Sequence, residues 1–353
     1  MKAFFSEEQL LHQPQQFMRA GRICAPADVP ARASILNDML AQAGIRSETP
    51  PDYGHAMLAV HSLEYLEFLK SAYSRWQALK RPGLEPGPEV LPNMSPYHNG
   101  RLELAGRPPC PSNSIIAQAG YYISDLACPI GPHTWQAAVR STHCAIAAAD
   151  WVSATKDIAY ALCRPSGHHA HYDRAGGFCY LNNSAIAAQR LRETFSSVVV
   201  LDVDAHHGDG TQNIFYQRSD VMTVSLHADP ADYYPFYSGY AHERGYGSGH
   251  GYNVNVPLPH GTTSAGFICA LDEVLITLRD FRPQAMVVAL GFDTYRDDPI
   301  SVLNLDLDAY RQIGERISAL GLPTVVVQEG GYMVDILGQA LNSLLRGLKA
   351  TQS

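Results

Sequence analysis

Short unbroken apolar runs recur along this chain of 353 residues, and each stops abruptly at polar residues. IAYALC (158–163) runs into RPSGHH, SVVVLDVD (197–204) into AHHGDG, and VMTVSLH (221–227) into ADPADYYP. AMVVALGF (285–292) stops at Asp293, and TVVVQ (324–328) at EGGY. Runs without polar alternation suit strands buried on both faces. Helix-like stretches lie between them, among them 183–195, 264–281 and 307–320. The alternation predicts βαβ units and a three-layer α/β/α fold around a central, mostly parallel sheet. Ligands of such sheets sit beyond the carboxyl ends of the strands. Here those ends carry histidines, aspartates and a glycine-flanked tyrosine, so the active site is expected there.

The first third reads differently. Residues 59–80 look helical, and 81–111 hold eight of the 23 prolines. A loop this long is usually functional or makes a subunit contact, so a homodimer through it is expected. No linker composition or repeat divides the chain, which reads as one domain over 1–353 with an elaborated loop at about 81–111. A hydrophobic fraction of 46% is ample for a large core, and the net charge of −8 argues against a nucleic-acid binder, which would present a basic face. Seven scattered cysteines without a CxxC read as free thiols in a reducing compartment. Glu7 and Glu8 come too early for a signal peptide, and no apolar run reaches the ~18 residues of a membrane span. A cytoplasmic globular protein with no membrane partner is expected.

In an extended segment, residues two apart point the same way. Asp202, Asp204 and His206 therefore share a face at their strand end. Asp204 and His206 are spaced to grip one ion, and Asp293 is the best-placed third ligand. Three ligands and an open position are what a catalytic zinc requires. Taken singly, Asp204 reads as a turn aspartate and His206 as a core histidine. The set resists that reading, because no lysine or arginine lies between 193 and 217 and burying uncompensated charge costs several kcal/mol. In GHHAH, His168 and His169 can both line a pocket, where neutral imidazole can accept a proton. Asp202 and Asp209 are the acids left to orient them. His171 and His207 read as structural. Tyr332, behind two glycines, can donate to a developing oxyanion, or is simply a loop tyrosine.

Together, RPSGHHAHYDRAGGFCYLNNSAIAA, LDVDAHHGDGTQNIFY, VSLHADP, LGFDTYRDDP and EGGY, in that order, resemble the zinc-dependent histone deacetylase superfamily with its arginase/deacetylase fold. The likeness spans roughly residues 1–348. SIIAQAGYYISDLACPIGPHTW and the proline-rich loop before it are similar to the bacterial acetylpolyamine amidohydrolase branch. The resemblance implies one Zn²⁺ on Asp204, His206 and Asp293. It makes His169 the general base and His168 its partner, with Asp202 pairing His168 and Asp209 pairing His169. Tyr332 polarises the acetyl carbonyl, Phe178 and Tyr234 wall a narrow tunnel, and the Gly177 backbone accepts the substrate amide. Asp202, Asp204, His206, Ser225 and Leu226 resemble an inner monovalent-cation site suited to K⁺. One departure stands out: Ile116 and Ala127 occupy positions where some members carry acids for a distal ammonium. Asp125, Glu85, Glu89 or Glu103 are possible substitutes, although each reads first as a solvated loop charge.

The implied reaction is hydrolysis of a small N-acetylated amine to amine and acetate. A protein acetyl-lysine deacetylase would use the same site behind a different rim. A dinuclear manganese ureohydrolase on this fold would need more bridging acids, and a non-catalytic binder of acetylated amines would have no use for His168, His169 and Tyr332.

Overall fold

The computed structural model describes residues 1–54, 56–79, 83, 85–96 and 108–350, without the side chains of Met57 and Arg279. Much of the proline-rich loop, with Glu103 and the dimer contact expected of that loop, lies outside the described residues.

The strands, in chain order, are β1 (Lys2–Phe4), β2 (Phe17–Arg19), β3 (Arg22–Cys24), β4 (Ser47–Glu48), β5 (Ile158–Ala161), β6 (Val198–Asp202), β7 (Val221–Ala228), β8 (Asn253–Leu258), β9 (Ala285–Leu290) and β10 (Thr324–Gln328). β2 and β3 form a separate antiparallel hairpin. The other eight make one sheet in the order β4-β1-β5-β10-β9-β6-β7-β8, and every ladder in it is parallel.

The period of two sorts each strand between two cores. Val198, Val200, Val287 and Val325 face one cluster, packed by the helices Leu63–Gln77, Ile115–Tyr122, Thr134–Thr155 and Asn183–Leu191. Val199, Leu201, Val288 and Val326 face the other, packed by Ala31–Gln42, Ser264–Phe281, Leu307–Ala319 and Val334–Lys349. In Val334–Lys349 the residues Leu337, Leu341, Leu344, Leu345 and Leu348 recur at helical spacing and are all buried. Each contributes about 1.5–3 kcal/mol of apolar burial. Gly314 lets this helix and Leu307–Ala319 close together, since a Cβ there would stand 2.5 Å from the Leu344 carbonyl oxygen. Asp306 caps the latter helix by accepting the Ala309 N–H at 3.1 Å. Among the described residues, no helix is long and apolar enough to cross a membrane.

Because the sheet is parallel, the carboxyl ends of β5, β6, β7, β9 and β10 lie along one edge. The segments that follow them carry His168 and His169, Asp204 and His206, Tyr234, Asp293, and Tyr332 respectively.

Candidate active site

The turn after β5 is held by buried polar contacts rather than by regular structure. Glu329, just past β10, accepts the N–H groups of Gly167 (2.6 Å) and His168 (3.1 Å) with one carboxylate oxygen and the Ser184 hydroxyl (2.7 Å) with the other. Burial pushes the Glu329 carboxyl up to about 7, against the pull of His168. Asn182 caps the helix after it through the Ala185 N–H and donates its amide to the Ala170 carbonyl at 3.0 Å. Below the turn, Arg164 is wholly buried and donates to Asp28 (2.9 Å) and to the Gln9 carbonyl (2.9 Å). Arg32 meets the same aspartate and also donates to the carbonyls of Glu329 and Gly331, which fixes the loop that presents Tyr332. Asp298 accepts the N–H groups of Tyr332 (2.7 Å) and Met333 (2.9 Å). Glu329, Arg32, Asp28 and Asp298 escaped the sequence reading. The only signal for Glu329 and Asp298 was their place inside EGGY and DTYRDDP.

Asp204, His206 and Asp293 come together as a candidate metal group, with one ligand atom of each within 4.8 Å of the others. Both aspartates are fully buried. His206 Nδ1 stands 3.2 Å from Asp204 and 3.0 Å from Asp293. Among the described residues, the ion-pair partners of these acids are histidines only. Burial and the charge of Asp204 drive Asp293 up to about 7. Burial would lower His206, but its bonds to the two acids raise it to about 9. Two crowded buried carboxylates and an imidazole, with no lysine or arginine at ion-pair distance among the described residues, fit a cation. The backbone makes room for it: a Cβ on Gly330 would stand 2.4 Å from Asp293 Oδ2 and 2.6 Å from Asp204 Oδ2.

One further set of three potential ligands, His168, Cys179 and Glu329, lies equally close among the described residues. It makes a poor second metal site. Both Glu329 oxygens are already occupied, and burial holds the Cys179 thiol well above its ordinary pKa.

His168 Nδ1 stands 2.9 Å from Asp202, and His169 Nδ1 2.7 Å from Asp209. Asp209 also meets His171 Nε2 at 2.9 Å. His207 is buried beside His227, with ring centroids 4.6 Å apart. In the β6–β7 register Ser225 lies opposite Asp202, and its hydroxyl pairs with His227 Nδ1 at 2.8 Å; Leu226 is fully buried.

Around these groups Phe178 packs edge-on against Tyr332 (5.6 Å between ring centroids) and Phe17 (5.4 Å). Tyr234 packs edge-on against His169 at 4.9 Å. Ile116 packs against the core, and Ala127 lines a small recess beside Phe178. Two rim acids differ from expectation. Asp125 is no solvated loop charge, since its carboxylate accepts the N–H groups of Gly177 and Ala127 and the Tyr234 hydroxyl. Glu89 is only 3% exposed and accepts the Gln15 N–H at 3.0 Å. Chain folding consumed both because loop backbone N–H groups needed acceptors. Glu85 is exposed.

A parallel sheet whose strand ends gather this acid–histidine set is what the histone deacetylase fold provides. The chain belongs to that family, whose histone deacetylase domain matches residues 27–348. It is 44% identical over 351 residues to the acetylpolyamine amidohydrolase of Burkholderia pseudomallei, covering 99% of each chain. It is 40% identical to acetylpolyamine amidohydrolase 1 of Pseudomonas aeruginosa, covering 98% of each. The crystal structure of the acetylpolyamine aminohydrolase from Burkholderia pseudomallei superposes with a TM-score of 0.93 over 99% of both chains. Family membership implies a divalent metal, and the Asp204, His206 and Asp293 group has the donors to hold one.

Proposed function

We propose that the whole chain works as one zinc-dependent deacetylase domain that hydrolyses N-acetylated polyamines and diamines to free amine and acetate. The observation that carries this reading is the buried Asp204–His206–Asp293 group with two aspartate-oriented histidines beside it. Full-length likeness to acetylpolyamine amidohydrolases supports the substrate class.

A divalent cation, if held by those three residues, would supply an electrophile for the acetyl oxygen and a more acidic water. Their mixed oxygen and nitrogen donors, three in number, suit zinc with a position left open. His169 gives its Nδ1–H to Asp209, so Nε2 is the atom that accepts a proton from the attacking water. The Tyr332 hydroxyl donates to the developing oxyanion. His168, oriented by Asp202, returns a proton to the departing amine. Phe178 and Tyr234 wall the approach for an unbranched alkyl chain. K⁺ beside Asp202, Ser225 and Leu226 would help keep Asp202 charged, and a homodimer through the proline-rich loop belongs to the same reading.

A second reading, acetyl-lysine in a peptide, is favoured by Ile116 and Ala127, which offer no acid to a distal ammonium. Turnover of acetylputrescine, acetylcadaverine, acetylspermidine and an acetyl-lysine peptide, compared as kcat/KM beside metal analysis, decides between them. A higher kcat/KM for the peptide would replace the first reading with the second, and no hydrolysis of any of the four by metal-loaded protein would sink both.

A further inference from the structure

Asp125 reads from sequence first as a solvated loop charge, yet the structure turns it inward. One of its oxygens, Oδ2, accepts both the Gly177 N–H at 2.8 Å and the Tyr234 hydroxyl at 2.7 Å. Oδ1 accepts the Ala127 N–H at 2.8 Å, which anchors the carboxylate to its own loop. The segment bearing Asp125 is laced to the strip before Gly177 by Ala175 N–H to the Tyr122 carbonyl (2.9 Å) and Ser124 N–H to the Ala175 carbonyl (2.8 Å).

Both groups bound by Oδ2 press on the same imidazole. Gly177, at φ +53°, runs so close to His169 that a Cβ would stand 2.4 Å from its Cδ2. Tyr234 meets the ring edge-on at 4.9 Å. His169 is also held at Nδ1 by Asp209 and packs against the rings of His168 (4.0 Å between centroids) and His206 (5.9 Å), so Gly177 and Tyr234 complete the enclosure of the ring. Asp125 and Tyr234 also line a cavity of about 630 Å³, and the hydrogen bond to Asp125 fixes the phenol oxygen at its wall.

We propose that Asp125 is a positioning residue of the reaction: through Gly177 on one side and Tyr234 on the other, a single carboxylate oxygen sets the plane of the His169 imidazole and the width of the tunnel beside it. The inference rests on the deacetylase reading for its kinetic consequence, but not for its geometry. Asp125 touches neither the Asp204–His206–Asp293 group nor His169 directly. Its loss should therefore leave metal content intact and act on orientation, where a misplacement of about 1 Å can cost about 10²-fold.

The test compares Asp125→Ala, Asp125→Asn, Tyr234→Phe and the Asp125→Ala/Tyr234→Phe double variant, each with its metal content and melting temperature. Asp125→Ala is expected to lower kcat about 10- to 100-fold with KM changed little. Asp125→Asn keeps an acceptor oxygen and retains most of kcat. Tyr234→Phe costs a few-fold alone and adds less than that on top of Asp125→Ala, because both act through one bond. A rise in KM with kcat unchanged would make Asp125 a substrate-binding acid and overturn the proposal, as would wild-type kcat in Asp125→Ala. If the wild-type protein hydrolyses no acetylated amine, the deacetylase reading fails separately. Crystal structures of wild type and Asp125→Asn or Asp125→Ala then decide: a shifted His169 ring and Tyr234 in Asp125→Ala are expected, and an unmoved pair refutes the inference.

Discussion

His168 and His169 are neighbours in the chain, with ring centroids 4.0 Å apart and one aspartate each at Nδ1, yet their surroundings drive them in opposite directions. Burial would lower both. At His168 it is overcome by Asp202 and Asp204, and the imidazole is raised well above 6.5. At His169 burial is reinforced by the charge of His168, and the value falls to about 4 despite Asp209. The difference comes from how the acids are shared. Among the described histidines Asp202 serves His168 alone, and Asp204 lies 3.9 Å from its Nε2. Asp209 divides its two oxygens between His169 and His171. Identical side chains in one turn thus tend to opposite protonation states because of the count of carboxylates within reach, which suits the donor and acceptor roles proposed for them. A cation on Asp204 would weaken that carboxylate's pull on His168 and leave Asp202 as the main one.

The contrast is tested most severely at the acceptor. His169→Ala should retain metal and lower kcat about 10²–10⁴-fold, and an equal or larger loss in His168→Ala would reverse the assignment. Tyr332→Phe leaves both histidines in place and should cost about 10²–10³-fold in kcat with folding and metal retained. Near-normal turnover there would remove the phenol from the reaction. Asp202→Asn strips His168 of its dedicated acid and should cost about 10–100-fold, the usual toll for losing the partner of a site histidine. Its pH–rate profile should change on the alkaline side, where a raised histidine loses its proton, and an unchanged alkaline limb would show that Asp202 does not sustain the charge. His171→Asn frees one Asp209 oxygen without touching His169, so a few-fold change in kcat is the most expected; a loss as large as that of His169→Ala would place His171 in the chemistry.

The strand ends were legible because buried parallel strands are written as unbroken apolar runs, and the residue that breaks the run is the one that reaches the site. Thus Val198–Asp202 and Thr324–Gln328 fall where their runs predict, and Ser264–Phe281 matches its helical stretch. β1, β4 and β8 were not read. β1 and β4 are too short for a run, and Asn253–Leu258 at the sheet edge alternates buried asparagines with partly buried valines instead of forming an apolar run. Thr134–Thr155 hid because its alanines, threonines and serines show little amphipathic contrast where the helix is buried nearly all round. At the site, the residues carried by strand ends were visible. Those that support them were not, because Asp125, Glu329 and Asp298 act by accepting loop N–H groups that no local pattern reveals.

The order of the sheet also bears on how the chain is made. β10, at residues 324–328, lies between β5 and β9, and β1, at residues 2–4, lies between β4 and β5. During synthesis the slot between β5 and β9 therefore stays vacant until residues 324–328 have left the ribosome, and two bare strand edges wait on either side of it. Slow, non-local closure of this kind leaves sticky edges open to other chains. Nascent polypeptides stalled before residue 324 should consequently aggregate or recruit chaperones, whereas release of a chain that includes both β10 and the helix Val334–Lys349 should relieve both.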